Sequence, residues 1–221
     1  MVKLTDYMEF NGIRVYYTKE LDGGGAGFGQ DYIEYVRANF PRQQRVFEWC
    51  SGPGFIGFSL LAHGLCDTLC LADINPLAVQ ACQKTIRENK LANKVKVHLS
   101  DNLKNIPSSE KWDLVVANPP HFKNICTKKA SPEIIYLDKD WRLHRRFYED
   151  VGKFLKQSGT LLIQENTLRS TIESFKKMIE SNGFAIVDTS ICNLDSRYYY
   201  IRSVKNAQEQ MSRGFCKQPH S

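Results

Sequence analysis

From Arg45 onward the chain alternates short β-rich runs with stretches of helical period, and this alternation restricts it to a βαβ architecture. The runs are Arg45–Cys50, Thr68–Ala72, Lys94–Leu99, Asp113–Ala117, Gly159–Gln164, Phe184–Ile191 and Tyr198–Val204. Leu114-Val115-Val116-Ala117 is apolar without interruption, as a strand covered on both faces requires. The expected fold is α/β, a doubly wound and mostly parallel sheet. Asn75-Pro76, an N-cap followed by a first-turn proline, opens a helix to about Asn89. The capping-box pattern Ser170-Thr171-Ile172-Glu173 opens another that Asn182-Gly183 ends. Asp31-Tyr32-Ile33-Glu34 starts a third, closed by Pro41. Trp141, His144, Phe147/Tyr148, Val151 and Phe154/Leu155 mark one apolar helix face, on which Trp141 and His144 read as packed core.

Around this core, residues 1–29 form an N-terminal cover, 30–204 one core domain and 205–221 a polar tail. Residues 1–22 suggest a hairpin or loose cover. Gly23-Gly24-Gly25-Ala26-Gly27-Phe28-Gly29 is too glycine-rich for a regular element and reads as a hinge or lid. With 221 residues, 42% of them hydrophobic, the core needs no disulfide or metal staple. The seven cysteines hold no C-x2-C spacing, so no metal is expected. No signal-peptide pattern opens the chain and no apolar run reaches membrane length. The expectation is a cytoplasmic, reducing compartment and no membrane partner.

Two stretches carry chemistry. Val46 to Gly57 reads as strand, glycine turn and helix start, with Gly52, Gly54 and Gly57 in G-x-G-x-x-G spacing. In open α/β sheets ligands bind beyond the carboxyl ends of the strands. Asp73 ends the second run, 19 residues after Gly54, where a carboxylate can accept from ribose hydroxyls. Asn75 fills the capping position, which leaves Asp73 for a ligand. Glu48 would repel a pyrophosphate beside the turn and attract an amino-acid ammonium. Asp101, in Ser100-Asp101-Asn102-Leu103, can accept from an adenine amine.

The second stretch is Trp112-Asp113-Leu114-Val115-Val116-Ala117-Asn118-Pro119-Pro120-His121. The prolines end strand pairing and leave the Asn118 carboxamide oxygen and the Pro119 carbonyl as acceptors. Two acceptors gripping the hydrogens of a planar amino group would aim its lone pair at an electrophilic methyl. His121 adds a flat ring to stack on the target.

On these residues the chain resembles class I S-adenosyl-L-methionine-dependent methyltransferases over roughly residues 30–204, and specifically the N-methylating branch with an N-P-P-aromatic motif. That branch includes adenine-N6, guanine-N2 and release-factor glutamine methyltransferases. The resemblance implies strand order 3-2-1-4-5-7-6 with the last strand antiparallel, and S-adenosyl-L-methionine as cofactor. It implies that Glu48, Cys50, Gly52 and Gly54 hold the methionine part, and that Asp73 with Ile74 binds ribose. Asp101 and Asn102 would flank adenine, while Asn118 and Pro119 would hold the amine beside the cofactor. Cys50 stands where a glycine is usual, tolerable because cysteine is small. His121 replaces Tyr or Phe; imidazole stacks too, but it also hydrogen-bonds and titrates.

The acceptor is left open between an RNA base and a small nitrogenous metabolite, an anionic one included. The net charge is +6, and +4 of it lies between Phe122 and Arg146, a cationic rim or simply a solvated helix face. Phe28, Gln30, Phe122, Lys123, Arg142 and Glu165 are the rim candidates; Phe28, Gln30 and Tyr32 would close from the glycine hinge. Short termini argue against a sequence-specific duplex-DNA reader and rank a protein glutamine lower. A non-catalytic binding or activating subunit and a nicotinamide-dependent oxidoreductase are the other readings.

Overall fold

The computed structural model describes residues 4–21, 25–124 and 133–206. The chain begins with a hairpin, β1 (Asp6–Phe10) and β2 (Ile13–Tyr17), and a first helix, α1 (Gly25–Asn39). Strands β3 (Gln43–Trp49), β4 (Cys66–Asp73), β5 (Val95–Leu99) and β6 (Trp112–Ala117) follow, with α2 (Phe55–Ala62) and α3 (Pro76–Glu88) between the first three. A short turn of helix, α4 (Glu133–Tyr136), precedes α5 (Arg142–Val151). The remainder is β7 (Leu155–Asn166), α6 (Ile172–Ser181), β8 (Phe184–Ile191) and β9 (Tyr198–Lys205).

Seven strands form one sheet in the order β5-β4-β3-β6-β7-β9-β8. β3 to β7 run parallel, and β9 is antiparallel to both β7 and β8. This is the order 3-2-1-4-5-7-6 expected from the resemblance. Successive side chains of a strand point to opposite faces, and the core divides accordingly. Phe47, Val115 and Leu161 pack with Phe147 of α5 and Phe175 of α6. Val46, Leu114 and Leu162 pack with Phe58 of α2, Val36 of α1 and Phe10 of the hairpin.

Three local expectations change. The glycine run is not a hinge as far as it is described, because α1 starts at Gly25 and runs through Gly27, Phe28 and Gly29. A Cβ on Gly29 would lie 2.9 Å from the Phe55 carbonyl and 3.1 Å from Ser59 Oγ, so glycine there lets α1 approach α2. Gly23 and Gly24 lie outside the described residues, as do Lys128, Lys129 and residues 207–221 of the polar tail. Second, the capping box of α6 closes between Thr171 and Ser174, one residue later than Ser170 and Glu173. Third, α5 ends at Val151, so Phe154 and Leu155 enter β7 rather than prolong the helix.

Tyr32 is fully buried, and its hydroxyl sits 2.7 Å from the Ala117 carbonyl and 3.0 Å from that of Leu162. It ties α1 to the ends of β6 and β7, which excludes it as a closing lid residue.

Candidate functional site

The parallel strands all end on one edge of the sheet, and a cavity of about 490 Å³ opens there. Its first wall is the turn after β3. The chain leaves the strand through three left-handed residues, Cys50 (φ 52), Gly52 (φ 52) and Gly54 (φ 84). At Gly54 a Cβ would also come within 2.7 Å of the Phe58 ring, so both conformation and space demand glycine. Cys50 adopts a backbone that L-residues avoid; its difficulty is therefore conformation rather than the size considered above. Burial pushes its thiol up, so it stays protonated.

Glu48 lies beneath this turn, 2% exposed, and its Oε2 accepts from the Gly57 amide at 2.7 Å. A side chain at Gly57 would collide with that oxygen. Burial pushes the Glu48 carboxyl up to about 8, against the pull of the Gly57 and Ile56 amides. At neutral pH burial thus favours its protonated form. It closes the N-terminus of α2 and gains charge when a cation arrives.

Asp73 ends β4 as expected, but it is not idle. Oδ2 accepts from the Gly52 amide at 2.7 Å and Oδ1 from the Asn75 amide at 2.8 Å, while the Asn75 side chain caps α3 through the Leu77 amide at 3.0 Å. Asp73 thereby locks the glycine turn to the second strand. Each carboxylate oxygen has a second lone pair, so it can still accept from a diol. Ile74 beside it is 46% exposed into the same cavity. Asp101 is engaged as well: Arg146 of α5 forks onto both oxygens at 3.2 and 3.0 Å. Asn102 is left-handed (φ 57), and its buried Oδ1 has no hydrogen-bond partner among the described residues.

The opposite wall is Asn118-Pro119-Pro120-His121, all lining the cavity. Asn118 Oδ1 is buried and has no hydrogen-bond partner among the described residues. An unpaired buried acceptor costs stability unless a ligand uses it. His121 is 9% exposed and stands against Tyr198, ring centroids 5.6 Å apart. Its Nδ1 lies 3.3 Å from Glu165 Oε2.

Glu165 is not a rim residue. It is completely buried behind His121, and its Oε1 accepts from His144 Nε2 at 2.8 Å. The other nitrogen of His144 donates to Asp138 Oδ2 at 2.6 Å. His144 is thus packed, as its helix face suggested, but it is the centre of a buried polar chain rather than apolar filling. Burial alone would lower it; Glu165 and Asp138 override that and raise it to about 9. Burial likewise pushes Glu165 and Asp138 up, and His144 brings both below the usual carboxylate range.

Of the remaining rim candidates, Phe122 lines the cavity; Gln30, Lys123 and Arg142 are exposed and do not figure among its described lining residues. The Phe28 side chain lies outside the description. The mouth is instead built by Tyr136, Leu168, Arg169, Arg197 and Tyr198. Arg169 lies over the Phe122 ring at 4.3 Å, and Arg197 pairs with Asp195 at 2.6 Å. The loop after β7 was not singled out in the sequence, although Leu168-Arg169 immediately follows a strand end.

This strand order and this cavity define a class I S-adenosyl-L-methionine-dependent methyltransferase fold. The chain belongs to the family described as "Methyltransferase small domain", which matches residues 14–188. It is 25% identical over 171 residues to the release factor glutamine methyltransferase of Clostridium acetobutylicum, covering 71% of this chain and 57% of that one. It is 27% identical over 176 residues to ribosomal RNA small subunit methyltransferase C of Actinobacillus pleuropneumoniae, covering 78% and 48%. The chain thus spans about half the length of these relatives. Among solved structures, TrmK of M. capricolum bound to S-adenosyl-homocysteine superimposes with a TM-score of 0.57, at 14% identity, over 79% of this chain and 67% of that one.

S-adenosyl-L-methionine is the cofactor of this class, and the residues present fit it. Gly52 lines the cavity with open space where a Cβ would stand, Glu48 suits an ammonium, Asp73 a ribose diol, and Asn102 and Asn118 bring unpaired acceptors; Gly54, whose Cβ direction faces the Phe58 ring, shapes the turn and is not among the described lining residues. No helix among the described residues is long and apolar enough to cross a membrane.

Proposed function

We propose that the protein is an N-methyltransferase that methylates the exocyclic amino nitrogen of a planar base, with RNA as the acceptor. The observation that carries this reading is the buried, unpartnered Oδ1 of Asn118 on the wall of the cavity. An amino group conjugated to a ring has a delocalised lone pair and is a poor nucleophile. Asn118 Oδ1 accepts one of its hydrogens, which helps draw the nitrogen lone pair out of conjugation with the ring and stabilises the positive charge that grows there. S-adenosyl-L-methionine supplies the electrophilic methyl. Pro119 and Pro120 keep the acceptor in place, and His121 and Tyr198 supply rings for stacking.

The mouth favours a nucleic-acid base over a free metabolite. Leu168 is 71% exposed at the rim and offers apolar contact, while Arg169 adds positive charge beside it that a flanking phosphate could use; the charge of Arg197 is offset by Asp195. The Actinobacillus relative, by its name, acts on ribosomal RNA. A protein glutamine is the second reading, because the Clostridium relative is a release factor enzyme and a carboxamide nitrogen fits the same acceptor.

Incubation with methyl-labelled cofactor and separated RNA, protein and small-molecule fractions tests this. Label is expected in RNA, with binding that weakens steeply as salt rises; label only in protein or metabolites rejects the RNA assignment. Asn118→Ala is expected to bind cofactor normally and to lose turnover about 10²–10³-fold. Unchanged turnover would remove the amine-gripping role.

A further inference from the structure

Behind the acceptor wall runs a chain of four titratable side chains from four segments: Asp138, His144 of α5, Glu165 of β7 and His121. Asp138 accepts from the Leu143 and His144 amides at 2.8 and 3.1 Å, at the positive end of α5. His144 then spans Asp138 Oδ2 at 2.6 Å and Glu165 Oε1 at 2.8 Å. With a carboxylate on each nitrogen, both nitrogens donate and the ring is an imidazolium. Glu165 Oε2 remains, completely buried, 3.3 Å from His121 Nδ1. A buried carboxylate oxygen requires a donor, so the proton of neutral His121 belongs on Nδ1. Nε2 is then a bare acceptor on a ring that lines the same cavity as Asn118.

Resting on the N-methyltransferase reading above, we propose that His121 accepts the proton shed by the methylated nitrogen. Glu165, His144 and Asp138 act as positioning residues that fix its tautomer. In the step, the nitrogen lone pair forms the N–C bond and the C–S bond breaks with its electron pair staying on sulfur. The nitrogen then carries one proton too many. That N–H bond breaks with its pair returning to nitrogen, and the proton passes to Nε2 of His121. Ionised Asp138 and Glu165 with protonated His144 carry a net charge of −1, which a protonated His121 cancels. A Tyr or Phe at this position stacks but has no basic nitrogen to receive the proton.

Among the described residues, Glu165 from β7 and Tyr198 from β9 contact His121, and Asn118 and the cationic Arg169 and Arg197 line the same cavity, while Trp49, Trp141 and Phe175 enclose His144. Asp138 and Glu165 are the carboxylates in contact with His144, and Glu48 and Asp73 line the far wall of the cavity.

Long-range ¹H–¹⁵N NMR of the imidazole nitrogens on the full, uniformly ¹⁵N-labelled chain reads the arrangement without any substrate. Between pH 6 and 8, His144 is expected to keep protons on both nitrogens, and neutral His121 to carry its proton on Nδ1. Glu165→Gln should release the His121 tautomer and let His144 deprotonate at lower pH. A neutral His121 protonated on Nε2 would overturn the proposal.

Turnover with methyl-labelled S-adenosyl-L-methionine on total RNA supplies the second arm. His121→Phe keeps a ring and should lower kcat about 10²-fold with KM little changed, and should remove the acid limb that a basic His121 predicts for the wild-type pH–rate profile. A His121→Phe enzyme with wild-type kcat and pH profile would also overturn it. If Asn118→Ala is inactive while His121→Phe is not, only this proposal fails. If Asn118→Ala is fully active, the N-methyltransferase reading itself fails, and the NMR tautomer still decides the wiring.

Discussion

The two walls of the cavity are assembled in opposite ways. On the cofactor side, Glu48, Cys50, Gly52, Gly54 and Gly57 belong to one continuous strand, turn and helix start, and Asp73 is pinned to Gly52 by a single hydrogen bond. On the acceptor side, Asn118 and His121 are adjacent, but what holds them is scattered. Glu165 is 44 residues from His121, and His144 a further 21 from Glu165 in the other direction. A contiguous turn is shaped by backbone conformation; a scattered wall is shaped by buried charge. Changes on the two sides should therefore fail differently, the first through cofactor affinity and the second through global stability.

The largest effect is expected on the scattered side. His144→Ala strands Asp138 and Glu165 without their shared cation and should cost about 3–5 kcal/mol in denaturant unfolding. A loss below about 1 kcal/mol would mean that the chain is not ionised. Gly54→Ala meets both positive φ and the Phe58 ring, and should cost about 1–3 kcal/mol in denaturant unfolding. At Gly52 an added Cβ meets open space, so Gly52→Ala carries only the conformational penalty, about 1–2 kcal/mol. Equal losses at the two glycines would show that space is not the constraint.

Proton linkage separates the walls further. Glu48 and His144 both titrate higher folded than unfolded, from 4.5 to about 8 and from 6.5 to about 9. The stability they contribute is complete below the unfolded values and is lost as pH rises through about 8 and 9. Melting temperature should fall between those limits, and Glu48→Gln should remove only the lower part of the fall. Because an ammonium ionises Glu48, cofactor binding near pH 7 should release a proton, seen as a calorimetric enthalpy that varies with the buffer. The smallest effect is expected at Arg146→Ala, whose exposed pairing with Asp101 is worth about 0.2–1 kcal/mol.

This contrast explains what could be read from the chain alone. Every strand of the main sheet was placed to within a few residues, because uninterrupted apolar runs such as Leu114–Ala117 leave little choice in a parallel sheet. Asn118 was found because proline marks its own position. The glycine run misled because composition does not say whether a glycine serves freedom or contact; at Gly29 it serves contact with α2. Asp101 lines the cavity as expected, but its pairing with Arg146, 45 residues on, could not be read from the chain alone. The buried chain left one signal, polar Gln164-Glu165 continuing Leu161-Leu162-Ile163 with no loss of burial. Only the parallel register of β6 and β7, Ala117 beside Ile163, shows which histidine that glutamate meets.

Tyr32 has a consequence for the order in which the molecule can be made. Translation releases it 85 residues before Ala117 and 130 before Leu162, the two carbonyls its hydroxyl joins. α1 can coil from local hydrogen bonds as it emerges, but its anchor has nowhere to dock until β7 has paired with β6. The Tyr32 anchor is thus fastened later than the rest of α1, whose Ile33 and Val36 share a cluster with Phe55 and Phe58 of the earlier-made α2. A ribosome pausing before Leu162 would hold a chain whose cofactor turn is complete and whose Tyr32 still lacks one of its two carbonyl partners.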